Sequence, residues 1–266
     1  MVWAVCLIPD QVPPPNKNPP LLQESLNSCL QIVALSEFFP SMRNSIVAII
    51  PMRHSSERVP GKNYRDFAGK PLYHHIIHSL RDSGKINKIV IDTDSPVILE
   101  EAAKHFPEVL LLERPAHLRG GNIPMNDVLL NIIRQVPASF YLQTHSTNPL
   151  LSTKSIREAV ETFLKVYPMY DSLFSVTRRQ VRFWDQLARP MNHNQHILLR
   201  TQDLPPVFEE NSCMYLFNQE ILERNHNRIG DRPYLFEIPE LESQDIDVEL
   251  NFKMAEFLYH YINSNH

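Results

Sequence analysis

The sequence predicts an α/β fold: a mostly parallel, Rossmann-like sheet with helices on both faces and a small protruding arm. Three observations carry this. From residue 46 onward, short apolar and β-branched runs alternate with segments of helical period. The early runs are apolar without alternation, as strands covered on both faces are. After Arg178 the rhythm gives way to a polar stretch before strands resume.

The elements follow in order. Residues 46–50 (IVAII) form the first buried strand. Pro71 suits the first position of a helix that buries Leu72, Ile76, Ile77 and Leu80 and stops near Gly84. Residues 88–91 are the second strand, and Ser95 caps a helix running to about Phe106. A third strand spans 109–112, and a helix over 124–136 carries Val128, Leu129, Ile132 and Ile133 on one face. Residues 140–143 are the fourth strand. Ser152 caps a helix with Ile156, Val160, Phe163 and Leu164 inward, and 172–176 is the fifth strand. This βαβα order implies a mostly parallel sheet with helices on both faces. Ligands of such sheets lie at the carboxyl ends of the strands. Residues 180–206 read as an excursion, in the form of a β-hairpin arm. Strands return at 213–217 and 234–238. A closing helix over 248–262 is expected to bury Leu250, Met254, Phe257, Leu258 and Tyr261.

Composition narrows the function. The chain has 266 residues, 43% of them hydrophobic and 21% charged, with a net charge of −4. That composition is globular, and the lack of positive excess disfavours a nucleic-acid partner. No apolar run reaches the roughly 18 residues that cross a bilayer, so no membrane partner is expected. Three cysteines, Cys6, Cys29 and Cys213, without CxxC spacing, exclude a disulfide framework and a zinc ribbon. They suit a reducing compartment, and a cytoplasmic location is expected. Glycine is scarce at 6 residues, and neither a GxGxxG loop nor a P-loop occurs. A bound nucleotide needs another cradle.

Residues 1–44 read as an N-terminal extension outside the fold, which occupies 45–266. The apolar run 2–8 has no Lys or Arg before it and is too short for a signal peptide. Prolines at 9, 13, 14, 15, 19 and 20 break regular structure, and residues 21–35 carry only a weak helical pattern. Met42, just before the first strand, fits a start position, which makes 1–41 dispensable or non-native. The alternative is an arm that packs on a partner subunit.

The first strand runs into a loop with Arg53, Ser55, Ser56, Arg58 and Lys62. Guanidinium forks, a lysine point charge and hydroxyls at a strand tip suit a polyphosphate. Near the other end, Asp245 and Asp247 stand at i and i+2 in an extended segment, so both carboxylates face one side. Paired hard carboxylates suit Mg²⁺. They also suit a helix N-terminus, which would leave them a purely structural role.

The stretch IIPMRHSSERVPGKNYRDFAGKPL, residues 49–72, resembles the signature IPARxxSxRxPxKNxxxxxGKPL of the acylneuraminate cytidylyltransferase (CMP-sialic acid synthetase) family. Matching residues include Pro51, Arg53, Ser56, Arg58, Pro60, Lys62, Asn63, Gly69, Lys70 and Pro71. Asp92-Thr93-Asp94, Arg114-Pro115, Leu142-Gln143, Asn148-Pro149-Leu150 and Gln244-Asp245-Ile246-Asp247 agree in order, and the likeness covers about residues 45–262. It implies a nucleotidyltransferase sheet and CTP-dependent transfer of CMP to the anomeric hydroxyl of a nonulosonic, sialic-type acid, with release of pyrophosphate. Another 2-keto sugar acid (pseudaminic, legionaminic or 3-deoxy-octulosonic) and a catalytically silent nucleotide-binding relative are the alternatives. Intact Lys62, Asp245 and Asp247 argue against the silent one.

By this resemblance, Arg53, Ser56, Lys62, Asn63, Arg114 and Gln143 surround CTP, and Arg53, Lys62 and Asp247 are the catalytic residues. Asp245 and Asp247 form the site of Mg²⁺ or Mn²⁺, where one carboxylate can also take the anomeric proton, directly or through water. Arg200, Gln202, Asn211 and Tyr215 match the acceptor side, where an arginine would meet the sugar acid's carboxylate. Trp184 and Phe208 offer apolar faces there. The chain departs from the pattern in three places: His54-Ser55 replaces a glycine pair, Gln143-Thr144-His145-Ser146-Thr147-Asn148 is longer than usual, and Gly120-Gly121-Asn122 stands where an acidic residue is common.

His74 and His78 lie at i and i+4 on the first helix, a metal-pair spacing that more often marks an ordinary helix face. His193 and His196 are unassigned, and Cys213 reads as a small core residue. The excursion carries Phe183, Trp184, Leu187, Ile197, Leu198 and Leu199, which need burial. The resemblance implies a homodimer in which this arm reaches the neighbouring subunit's sugar pocket, with Arg182 or Arg189 contributing there.

Overall fold

The computed structural model describes residues 44–264; the expectations for 1–43 lie outside these. Seven strands form one sheet in the order β5-β4-β1-β6-β8-β7-β9. They are β1 (Ile46–Met52), β4 (Lys88–Thr93), β5 (Leu110–Glu113), β6 (Phe140–Thr144), β7 (Ser172–Arg179), β8 (Val207–Phe217) and β9 (Pro233–Glu237). All neighbouring pairs are parallel except β6–β8 and β7–β8. The expected mostly parallel sheet is therefore present, with β8 the one reversed strand. β2 (Asp66–Phe67) and β3 (Lys70–Pro71) form a separate small ribbon after the β1 loop.

Six α-helices cover the sheet: α1 (Leu72–Asp82), α2 (Pro96–His105), α3 (Met125–Gln135), α4 (Thr153–Val166), α5 (Gln219–Asn225) and α6 (Glu249–Ser264). One face buries Ile76, Ile77 and Leu80 of α1, Ile98 and Ala102 of α2, and Ile156, Val160 and Phe163 of α4. The other buries Val128, Leu129, Ile132 and Ile133 of α3 and Leu222 of α5. Every residue of β1 is buried, as its unbroken apolar run requires. Ser95 and Ser152 cap α2 and α4 through their hydroxyls, as their positions predict. Pro71 instead pairs in β3, and α1 begins one residue later.

Two expectations fail. The closing helix turns a different face inward: Phe252 and Ala255 are buried, while Leu250, Met254, Phe257 and Tyr261 are 64%, 47%, 67% and 61% exposed. It docks on a third apolar cluster, with Val59, Phe67, Leu72 and Ile246, beneath the loop after β1. Phe67 sits edge-on to Phe252 and Tyr259, with ring centroids 5.5 and 5.7 Å apart. These aromatic contacts decide the rotation, and a periodicity that counts only apolar residues does not weigh them.

The excursion is not a β-hairpin. Between β7 and β8 it holds one isolated bridge, Trp184–Pro190, and a 3₁₀ turn at Thr201–Asp203. Pro190, Pro205 and Pro206 remove ladder donors. Asp185 accepts the backbone N–H groups of Leu187 and Arg189 and turns the chain on itself. The hairpin is instead β7–β8, whose pairing runs out to Arg179 opposite Val207.

Candidate active site

A cavity of about 560 Å³ opens at the carboxyl ends of β1, β5 and β6, where a doubly wound sheet is expected to hold its ligand. It is lined by the residues after β1 (Arg53, Ser55, Ser56, Arg58, Lys62 and Asn63), by Arg114 after β5, by Gly120–Ile123 and α3, by His145–Thr147 after β6, and by Asp247.

The loop after β1 is pinned at several points. His54 donates its backbone N–H to Asp94 at 2.7 Å, and its ring shares a hydrogen bond with Ser95 at 2.8 Å. Histidine in place of glycine thus ties the loop to the end of β4. Gly61 has φ +66°, and a Cβ there would stand 2.9 Å from the Tyr64 ring. Only glycine makes this turn freely, and the turn aims Lys62 into the cavity. Asn63 is buried and donates to the Arg53 carbonyl at 2.7 Å while accepting from Ser146 at 2.8 Å. Its amide therefore shapes the cradle, holding the β1 and β6 loops together.

Lys62 crosses the cleft and donates to the Ile246 carbonyl, between Asp245 and Asp247. Burial pulls its pKa below the ordinary lysine range, against the upward pull of Asp245 and Asp247. Asp247 pairs with Arg58 at 2.7 Å, with both side chains solvent-exposed. The surroundings of Asp245 raise its carboxyl above the usual range, chiefly by desolvation, with Asp247 adding to it. Arg114 and Asp92 form a buried pair, 2% and 0% exposed, in which one Asp92 carboxylate oxygen has no partner. Among the described residues, no three His, Cys, Asp or Glu side chains converge to hold a metal ion. The two aspartates still match the habit of Mg²⁺, which takes one or two carboxylates and fills its remaining positions with water and substrate phosphate.

Gln143, expected beside the nucleotide, and Arg200, Gln202, Asn211 and Tyr215, expected beside the acceptor, are absent from the cavity lining. Gln143 is fully buried, with its amide shared between His145 and Arg228, each at 2.7 Å. Tyr215, its cross-strand partner, is also buried and donates its hydroxyl to Glu210. Asn211 donates to the Thr177 hydroxyl and accepts from the Ser175 hydroxyl and the Cys213 backbone N–H, which holds the irregular β7–β8 pairing together. Arg200 is exposed and paired with Asp203 at 2.6 Å, and Gln202 lies beside it in the 3₁₀ turn. Neither lines the cavity. His145 and Arg228 went unnoticed in the sequence. His145 carried the signal of an unusually long segment after Gln143, whereas Arg228 sits in no motif.

His74 does meet a carboxylate, Glu101 at 2.9 Å, which also receives His105 at 3.0 Å. Burial holds His74 down to about 4, so it stays neutral as a helix-packing residue. Cys213 is buried and its thiol is pushed up by burial, as befits a core residue.

A cationic cradle at the tip of the first strand of a doubly wound sheet, with Asp247 in its lining, is a site of nucleotidyltransferase type. Residues 47–255 match the cytidylyltransferase family profile, and the chain belongs to that family. It is 31% identical over 232 residues to N-acylneuraminate cytidylyltransferase A of Danio rerio, covering 82% of this chain and 52% of that protein. The chain thus spans about half the length of that relative. Pseudaminic acid cytidylyltransferase of Campylobacter jejuni is 24% identical over 230 residues, covering 80% of this chain and 95% of that protein. A solved CMP:2-keto-3-deoxy-manno-octonic acid synthetase complexed with CTP superposes with a TM-score of 0.60 over 82% of this chain and 99% of that one, at 14% identity. At that identity the likeness establishes the fold alone.

Proposed function

We propose that this protein transfers CMP from CTP to the anomeric hydroxyl of a nonulosonic acid and releases pyrophosphate. The observation that carries this reading is that Arg53, Arg58, Lys62 and Asp247 line one cavity, with Asp247 paired to Arg58. In the reaction the sugar's anomeric oxygen forms a bond to the α-phosphorus, the bond from that phosphorus to the bridging β-oxygen breaks, and pyrophosphate leaves. Such a displacement is governed by alignment and charge neutralisation. Lys62, Arg53 and Arg58 neutralise the triphosphate. Ser56 and loop amides supply further donors, and Arg114 stands on the nucleoside side. Asp245 and Asp247 would hold Mg²⁺ (or Mn²⁺), which supplies Lewis-acid polarisation of the phosphate oxygens. The hydroxyl proton passes to one of these carboxylates or to water.

The acceptor is a sialic-type acid on the strength of the Danio rerio relative. Pseudaminic acid is the second reading, favoured by the near-complete coverage of the Campylobacter jejuni relative. Pyrophosphate release from CTP, measured over N-acylneuraminic, pseudaminic, legionaminic and 3-deoxy-octulosonic acids, tests both. Turnover with one of the first two is expected. Absence of CTP binding, or turnover with none of the four, removes the proposal.

The working form is a homodimer in a cytoplasmic setting. The segment between β7 and β8 exposes Trp184, Leu187, Met191, Ile197 and Leu198, the last 90% exposed, and a second subunit would cover them. Light scattering on the full chain and on a chain lacking residues 182–197 tests this: a dimer and a monomer are expected, and an active full-length monomer would rule it out. Among the described residues, no helix is long and apolar enough to cross a membrane.

A further inference from the structure

We infer that Arg228 is the residue that takes the acceptor's carboxylate and thereby sets the preference for sugar acids. This rests on the cytidylyltransferase reading above.

Arg228 lies in the turn between α5 and β9. Its guanidinium stacks on the Tyr215 ring, with Cζ 3.7 Å from the centroid. One nitrogen, Nη1, donates to Gln143 Oε1 at 2.7 Å. Tyr215 and Gln143 are paired across β8 and β6, so the plane and rotation of the fork are set by two neighbours on the sheet itself. The turn is fixed as well. The backbone N–H groups of Asp231 and Arg232 point at the Asp171 carboxylate at 3.0 and 3.1 Å, and that of Gly230 at the Ser172 hydroxyl at 2.8 Å. A side chain at Gly230 would collide with Asp171, its Cβ falling 2.2 Å from a carboxylate oxygen. Asn126 of α3 donates to the His226 carbonyl at 2.8 Å and ties down the start of the turn.

Most arginines around the site already have an anion. Arg58 has Asp247, Arg65 has Glu249, Arg114 has Asp92 and Arg200 has Asp203. Arg228 is half-buried, yet it has no ion-pair partner among the described residues. A preorganised, partly desolvated fork without a counter-ion is suited to a ligand's carboxylate, which it can grip through two nitrogens. Arg200, the arginine first expected in this role, is spent on Asp203 at the surface.

Arg228 lies behind the cavity lining and is linked to it through Gln143 and His145. His145 hydrogen-bonds Gln143 and lines the cavity, and Arg228 and Lys62 both act on its charge. Its charge is therefore felt by both the proposed acceptor arginine and the proposed triphosphate lysine. In a 2-keto sugar acid the carboxylate and the anomeric hydroxyl share one carbon. Holding the first on Arg228 directs the second toward the phosphate wall.

The same fork suits a phosphate oxygen of CTP, and the test separates the two. Pyrophosphate release is measured for the wild type, Arg228→Gln and Arg228→Lys, using the acid that the wild type accepts and that acid's neutral carboxamide. For Arg228→Gln, a rise of about ten- to a hundredfold in acceptor KM is expected, with CTP affinity by titration within about twofold of wild type. Arg228→Lys should fall between the two, and the wild type's preference for acid over amide should collapse in Arg228→Gln. Weakened CTP affinity with an unchanged acid-to-amide preference would assign Arg228 to the nucleotide and overturn the inference. No turnover by the wild type with any sugar acid overturns the functional reading and this one together. Wild-type turnover with an unaltered acid preference in Arg228→Gln overturns this one alone.

Discussion

Lys62 donates its ammonium to the carbonyl of Ile246, 184 residues away in sequence, and so joins the phosphate loop to the aspartate pair. This one contact brings the cation proposed to meet the triphosphate and the aspartates suited to a divalent ion together at one cleft. It gives each side a distinct test.

Lys62→Ala removes a cation from the triphosphate and a tether from the loop. A fall of roughly a hundredfold to a thousandfold in kcat/KM for CTP is expected, with the ranking of sugar acids unchanged. Steady-state kinetics across the acceptor panel checks both parts. An altered ranking with normal CTP handling would place Lys62 at the wrong end of the site.

Asp247→Asn keeps the shape of the side chain but removes a hard anionic ligand and the partner of Arg58. Circular dichroism and melting temperature should stay near wild type, because exposed pairs of this kind contribute only about 0–1 kcal/mol. Turnover at limiting Mg²⁺ should be lost. Wild-type rates across a Mg²⁺ titration would remove Asp247 from the metal site.

Asp92→Asn leaves the buried Arg114 without its counter-charge. The expected cost is about 3–5 kcal/mol, read as a lowered midpoint in urea unfolding. Replacing both residues together, Asp92→Leu with Arg114→Met, should recover most of that stability while abolishing CTP binding. A single variant as stable as wild type would show that the pair is solvated in solution.

Stability should fall in mild acid. His74, His75 and His145 are each held down to about 4 by burial, against about 6.5 in an unfolded chain. Below 6.5 the unfolded chain binds protons that the folded chain refuses, so stability declines as pH drops from 6.5 toward 4 and is flat above that window. Melting temperatures between pH 8 and pH 4 check the sign. His75 donates to the Phe67 carbonyl at 2.9 Å, and His75→Asn should flatten the slope in acid.

The parallel half of the sheet was legible because its strands are apolar on both faces and its helices begin at Ser95 and Ser152 caps. The convergence of Arg53, Ser56, Lys62 and Asn63 on one cavity was legible because they lie within one loop. The link of Gln143 and Tyr215 to Arg228 was not, because it is assembled across distance. Gln143 and Tyr215 meet only through the reversed pairing of β6 and β8, and Arg228 arrives from a turn with no composition to mark it. Asn211 has the residue type of a hydroxyl reader, yet the local irregularity of β7–β8 consumes its hydrogen bonds. The closing helix was misoriented for a related reason. Its contact face is chosen by Phe67 of β2 and His75 of α1, and Tyr259 packs on both.

The reversed strand β8 has a bearing on synthesis. β6 and β7 do not pair with each other; each pairs with β8, which begins at Val207. A nascent chain can therefore join β1, β4, β5 and β6 early, but the open edge of β6 must wait for a strand translated more than 60 residues after Thr144. β7 waits for the same strand, and the Lys62 tether waits longer still, for Ile246. Closure of the cleft by the Lys62–Ile246 contact is thus a late event on the ribosome, and a chain arrested before residue 207 exposes unsatisfied backbone along β6 to any extended partner nearby.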